Sequence, residues 1–135
     1  MALVFLDTNV ILRHLLQDHP DQSPKATAFL SRVENNEIQV RISELVIFEI
    51  IFTLQRQYKK SKQMIRENFL PLLMMPGILI ARKRRWRKIF NLYVDLNIPF
   101  ADAYHAVLME GLKLKEIVSF DRDFDRIPGI IRAEP

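Results

Sequence analysis

A chain of 135 residues with 49% apolar content is long enough to bury a core of its own, which excludes both a disordered chain and a disulfide-held miniature scaffold. Cysteine is absent, so no disulfide framework, zinc–thiolate site or thiol nucleophile exists, and a reducing cytoplasm is the expected setting. The net charge of +4 is local: Arg82, Lys83, Arg84, Arg85, Arg87 and Lys88 crowd together, and without them the 16 acidic residues outnumber the basic ones. Such a run fits a patch for a polyanion better than general solubility. No basic stretch leads into a cleavable apolar one, and no uncharged apolar run approaches the ~18 residues of a membrane span, so a soluble protein without a membrane partner is expected.

Leu3 to Leu6 form an apolar run suited to a strand buried on both faces of a parallel sheet, and the run ends at Asp7. Ligands of open α/β sheets bind beyond the carboxyl ends of the strands, which puts Asp7 where chemistry is usual. The plainer reading makes Asp7 a cap for the helix that begins near Asn9. Val10 to Leu16 reads as a short helix. Ser23 then caps a second one, with Pro24 at its first position and Ala26, Phe29, Leu30 and Val33 at helical spacing up to Asn35 and Asn36. Ile38 to Ile42 alternates as a strand.

Ser43 caps a third helix whose stretch Leu45 to Leu54 is apolar except for Glu49 and Thr53, predicting burial nearly all round. Glu49 then either looks out through a narrow slot or points at something polar inside. A hairpin through Tyr58 to Ser61 leads to a helix ending near Leu70, before Pro71. Pro76 and Gly77 turn the chain into a strand from Ile78 to Ala81. Trp86, Ile89, Phe90, Tyr93 and Leu96 make one apolar helical face, and the basic run fills the other faces of its opening turns. Cations there oppose the helix dipole by roughly 0.3–1 kcal/mol each, so local stability does not explain them; their plain reading is a solvated face.

Ala101 to Leu112 reads as a helix carrying Asp102, Tyr104 and His105. Glu116 to Ser119 is a strand running into Asp121, and Pro128 and Gly129 precede a last strand, Ile130 to Arg132. No repeat or linker divides the chain. Strands alternating with helices predict a single α/β domain over residues 1–135: a parallel, doubly wound sheet of four to five strands flanked by helices.

Only three glycines occur, and neither GxxxxGK[ST] nor GxGxxG is present, which sets aside P-loop hydrolysis and Rossmann cofactor binding. His14, His19 and His105 lack metal-ligand spacing and read as ordinary surface or core histidines, although His105 lies one turn from Asp102. What stands out is a set of acids: Asp7 and Asp121 after apolar strands, Glu49 within an apolar helix, Asp102 in the first turn of another. Each has a dull explanation as a cap, a turn residue or an exposed sliver. Should they converge, mutual repulsion would demand a counter-charge. Mg²⁺ or Mn²⁺ supplies one through oxygen ligands and can activate water toward a phosphodiester. A basic patch would hold the phosphate backbone that such a pocket repels.

Leu6-Asp7-Thr8-Asn9-Val10, Val46-Ile47-Phe48-Glu49-Ile50, Phe100-Ala101-Asp102-Ala103 and Ser119-Phe120-Asp121-Arg122-Asp123-Phe124 stand in that order along the chain. Together they resemble the four motifs of PIN-domain ribonucleases, specifically the VapC-type toxins of toxin–antitoxin pairs. The resemblance implies Asp7, Glu49, Asp102 and Asp121 as catalytic metal ligands, Asn9, Ser119 and Asp123 as supports, and Mg²⁺ or Mn²⁺ as cofactor. It further implies an RNA substrate such as transfer RNA, a cognate antitoxin, and a homodimer. The run from Arg82 to Lys88 is a candidate RNA contact. Two other readings are a non-catalytic nucleic-acid-binding or regulatory PIN-like module, and a phosphatase of the haloacid-dehalogenase type. The latter needs DxD at its nucleophile, and here Asn9 takes the second acid's place.

Overall fold

A computed structural model describes residues 3–135, which form two compact units, one up to Lys83 and the other Arg84–Pro135. The first unit runs β1 (Leu3–Phe5), α1 (Thr8–Leu16), α2 (Gln22–Glu34), β2 (Gln39–Arg41), α3 (Glu44–Phe52), a π-helical turn (Thr53–Gln57), α4 (Lys62–Leu73) and β3 (Ile78–Leu79). Its strands pair in parallel in the order β1-β2-β3, with Val4 opposite Val40 and Val40 opposite Ile78. The second unit comprises α5 (Lys83–Asp95, which starts at the boundary), α6 (Phe100–Gly111), β4 (Glu116–Val118), a 3₁₀ turn (Arg122–Arg126) and β5 (Ile131–Ala133), with β4 and β5 parallel.

The expected single sheet of four to five strands is therefore corrected to a three-stranded and a two-stranded parallel sheet. Neither reverses its strand order, so neither is doubly wound by itself. Alternating strand and helix patterns report that strands exist, whereas which edges pair depends on contacts far apart in sequence. β1 is also corrected: Leu3, Val4 and Phe5 are all exposed, so this edge strand is not buried on both faces. The inner strand carries the buried residues, Val40 and the following Ile42, backed by Ile11, Val33, Ile47 and Phe69.

Several helix boundaries show which local force wins. Ser43 and Ser61 cap α3 and α4 by accepting from the backbone N–H of Val46 and Met64, at 3.3 and 3.1 Å. Ser23 does not cap α2. It lies buried inside the first turn and donates to the Arg13 carbonyl at 2.7 Å, while the ring of His19 accepts from the N–H groups of Asp21 and Gln22. Pro71 lies within α4 instead of after it. It faces solvent in the last turn and forfeits one hydrogen bond there, while Leu70, Leu72 and Leu73 bury, and that burial carries the helix past it. α3 is not covered all round: Leu45, Glu49 and Phe52 form an exposed stripe, and the Arg56 guanidinium stacks on the Phe52 ring at 4.7 Å.

Gly77 sits where β3 begins against the end of α2, and its carbonyl accepts from Val40 N–H at 2.8 Å. A Cβ there would approach Val33 Cγ1 to 2.7 Å and the Val33 carbonyl oxygen to 2.8 Å. The side-chain methyl can give way; the backbone oxygen cannot without moving α2. Gly77→Ala is expected to lower stability by about 1–3 kcal/mol, read as a lower urea midpoint with an unchanged m-value.

Candidate active site

The second unit owes its shape to aromatic packing between α5 and α6. Phe100, the first residue of α6, packs edge-to-face with Phe90 and Tyr93 at 5.2 and 5.1 Å and stacks with Trp86 at 6.3 Å. Burial of Tyr93 is deep enough to push its phenol up to about 12. This packing fixes the first turn of α6, and two residues after Phe100 comes Asp102, a carboxylate only 9% exposed whose Oδ2 has no hydrogen-bond partner.

Beyond the end of β4 the chain turns back toward Asp102. Ser119 Oγ accepts from Asp121 N–H at 2.9 Å, and Asp121 Oδ1 accepts from Asp123 N–H at 2.9 Å, which opens the 3₁₀ turn. Asp102, Asp121 and Asp123 each offer a carboxylate oxygen, and these oxygens lie within 4.8 Å of one another. Arg132 on β5 binds the Ser119 carbonyl and the carboxylate of Asp125, both at 2.9 Å, and holds the turn to the sheet. Asp125 thus belongs to that ion pair, while Asp123, bound by Arg126 at 3.2 Å, joins the trio.

The electrostatics divide the pair. Burial pushes Asp102 up to about 6, helped by its hydrogen bond with Asp121 and by repulsion from Asp121 and Asp123. Asp121 is held below the usual carboxylate range, first by the Asp123 N–H and then by the bond with Asp102. Of the two neighbouring carboxyls the buried one is the weaker acid, so the first proton taken up by the pair falls to Asp102.

In the first unit, Asp7 occupies the position before α1 yet makes no capping hydrogen bond, which removes the plain reading of that residue. Thr8, buried beside it, donates from Oγ1 to Glu49 Oε2 at 2.7 Å and ties the start of α1 to the middle of α3. Glu49 is exposed, and Asn9 stands exposed in the first turn of α1. The roles of Thr8 and Arg132 escaped the sequence reading; nothing in a one-dimensional pattern pairs Thr8 with Glu49, 41 residues away.

The family model of the PIN domain matches residues 4–130, nearly the whole chain. The chain belongs to the PIN domain family. It is similar to a protein named VapC ribonuclease of Aquifex aeolicus (strain VF5), 25% identical over 122 residues that cover 90% of each chain. Both findings bear out the resemblance to VapC-type PIN proteins that the motifs suggested.

The basic run of this PIN domain is not one uniform patch. Lys83 is drawn inward: its ammonium donates to the carbonyls of Met75 and, at 2.6 Å, Ile78, and burial pulls its pKa down. Lys88 pairs with Glu110, and the Arg85 guanidinium lies over Gly111, close enough to contact any Cβ placed there. Arg82, Arg84 and Arg87 stand exposed. Among the described residues no helix is long and apolar enough to cross a membrane.

Asp102 links the site to stability. Its folded pKa of about 6 exceeds the ordinary 3.8, so between those values the unfolded chain gives up its proton first. Metal-free stability should therefore fall as pH rises from about 4 to 6 and level off above, by on the order of 1–3 kcal/mol. Asp121, whose folded pKa is depressed, acts in the opposite sense and only below its unfolded value, outside this window. Asp102→Asn should abolish the fall. Urea unfolding in chelator at pH 4.5 and 7.5 measures it, with the difference between wild type and variant cancelling other titrations such as that of His14.

Proposed function

We propose that this PIN domain is a metal-dependent endoribonuclease that hydrolyses RNA phosphodiester bonds and serves as the toxin of a toxin–antitoxin pair. The observation that carries the reading is the buried, unpartnered Oδ2 of Asp102 beside the carboxylates of Asp121 and Asp123. A buried oxygen without a donor costs free energy unless something positive meets it. An all-carboxylate donor set fits a hard cation that prefers oxygen, Mg²⁺ or Mn²⁺, and fits no soft metal. The ribonuclease name of the Aquifex aeolicus relative supports RNA as the substrate. Asp7 and Glu49 are assigned as further metal ligands on the strength of their motifs, together with the absence of a capping role for Asp7.

When bound, such a cation neutralises charge at the phosphate and makes a water more acidic. The residues of the chain do the rest. Asp121, whose ionised form the Asp123 N–H favours, is the stronger acid of the pair. Asp102, whose pKa lies near neutrality, can hold a proton on its carboxyl or release it, as its surroundings demand. Ser119 fixes the loop by its Oγ bond to Asp121 N–H, and Thr8 orients Glu49. Transfer RNA as target, an inhibitory antitoxin and a homodimeric toxin accompany this reading.

Asp102→Asn and Asp121→Asn should each reduce Mn²⁺-dependent cleavage of cellular RNA to background with the fold intact by circular dichroism, and Asp7→Asn and Glu49→Gln should do the same. Glu34→Gln, near the end of α2, should leave it unchanged. Full activity in the purified Asp102 and Asp121 variants would sink the assignment, and RNA binding without any cleavage by the wild type would leave the non-catalytic module.

Exposed Arg84 and Arg87 are the members of the basic run best placed to meet phosphates. Replacing both by Gln should weaken RNA binding and reduce the slope of log K against log salt by about 1.5. Lys83→Gln should instead lower the melting temperature and leave the slope alone, because its ammonium is already engaged by two carbonyls.

A further inference from the structure

A cavity of about 670 Å³ within the second unit lies at the pole away from the acidic trio. α6 carries Asp102 in its first turn and Glu110 in its last, eight residues or roughly 12 Å apart along the axis. β4 behaves likewise: Lys115, on the cavity wall, precedes it, and Ser119 follows it. The floor is apolar, formed by Leu92 of α5, Ala106 of α6, and Ile127 and Ile130 around the Pro128–Gly129 turn. The rim is cationic. Lys88, Lys113 and Lys115 stand there against a single acid, Glu110, which Lys88 already holds.

The rim is also preformed. After α6 the chain closes with two backbone bonds, Lys113 N–H to the Glu110 carbonyl at 3.1 Å and Leu114 N–H to the Met109 carbonyl at 2.9 Å. This Schellman closure puts Lys113 in the left-handed region, φ 59°, where glycine is the usual residue. It also leaves Leu114 on the cavity wall, 55% exposed, where such a closure normally packs that side chain against its own helix. A fixed apolar side chain over an apolar trough, rimmed by three lysines, has the composition of a site for side chains that are alternately apolar and acidic.

We propose that this groove docks an acidic amphipathic segment of a partner protein, its apolar side chains on the floor and its carboxylates on Lys88, Lys113 and Lys115. The apolar floor separates this occupant from RNA, which needs cations and stacking faces but no aliphatic trough. The proposal stands whether or not the acidic trio cleaves RNA, since no residue of that trio lines the groove.

The experiment uses the full chain and a fluorescent, acetylated 14-residue peptide in which Leu and Glu recur at helical spacing, followed by anisotropy at low salt. Its Glu→Lys and Leu→Ser analogues serve as comparison peptides. The acidic peptide should bind, and both analogues should bind at least about tenfold more weakly. Lys113→Gly is the cleanest variant, because glycine suits φ 59° and the fold should be kept or slightly stabilised. Combined with Lys115→Gln it should weaken the peptide by about tenfold, and Leu114→Ser should weaken it through the apolar contact alone. Equal binding by wild type and these variants would overturn the proposal, as would absence of binding. Full displacement of the peptide by polyuridylate, with no effect of Leu114→Ser, would also overturn it and make the groove a polyanion site.

Discussion

The second unit turns on a carboxylate placed where a carboxylate is costly. Asp102 is almost fully buried, one of its oxygens has no partner, and two further carboxylates face it. Nothing local favours this. Leu, Met or Ala at that position would serve the helix better and remove the repulsion. The arrangement persists because the surroundings leave Asp102 no freedom: Phe100, two residues earlier, is wedged among Trp86, Phe90 and Tyr93, so the first turn of α6 cannot rotate the carboxylate out to solvent. On the other side, the Asp121 turn is held by Ser119 and Arg132. Packing energy from the aromatic cluster thus offsets an electrostatic cost about a turn away, as is usual where a fold maintains a strained group for a purpose.

The first unit treats its acids differently. Glu49 is exposed, and its partner is a neutral hydroxyl, that of Thr8. Asp7 is presented at the end of β1 by the turn into α1, without being consumed as a cap. In the second unit, by contrast, burial and neighbouring carboxylates raise Asp102 to about 6.

The basic run shows how a cluster of like charges can conceal several roles. Lys83 closes the turn between α4 and β3 by binding two carbonyls, Arg85 covers the backbone at Gly111, and Lys88 pairs across to α6. The cations along the start of α5 are tolerated despite the helix dipole because one face of that helix, from Trp86 to Tyr93, is buried in aromatic contacts whose contribution exceeds the dipole term. A charge count alone overstates the surface left for phosphates; Arg82, Arg84, Arg87 and Lys88 are exposed, and Lys88 is engaged by Glu110.

The sequence by itself determined the elements and their kind. Hydrophobic spacing located all six helices and five strands to within a few residues, Ser43 and Ser61 announced their helices, and the four motifs carried the family, because these signals are local or linear in the chain. It also picked out Asp102 and Asp121 as acids in odd places. Only the tertiary structure decided what lies far apart in sequence: that the strands pair as three and two, that Ser23 is a packed hydroxyl and not a cap, that Asp123 joins Asp102 while Asp125 answers Arg132, and that Thr8 reaches Glu49. Periodicity records which face of an element prefers apolar surroundings. It carries no information about which remote atom completes a hydrogen bond or raises a pKa, since those depend on distances of a few ångströms that exist only once the chain has folded.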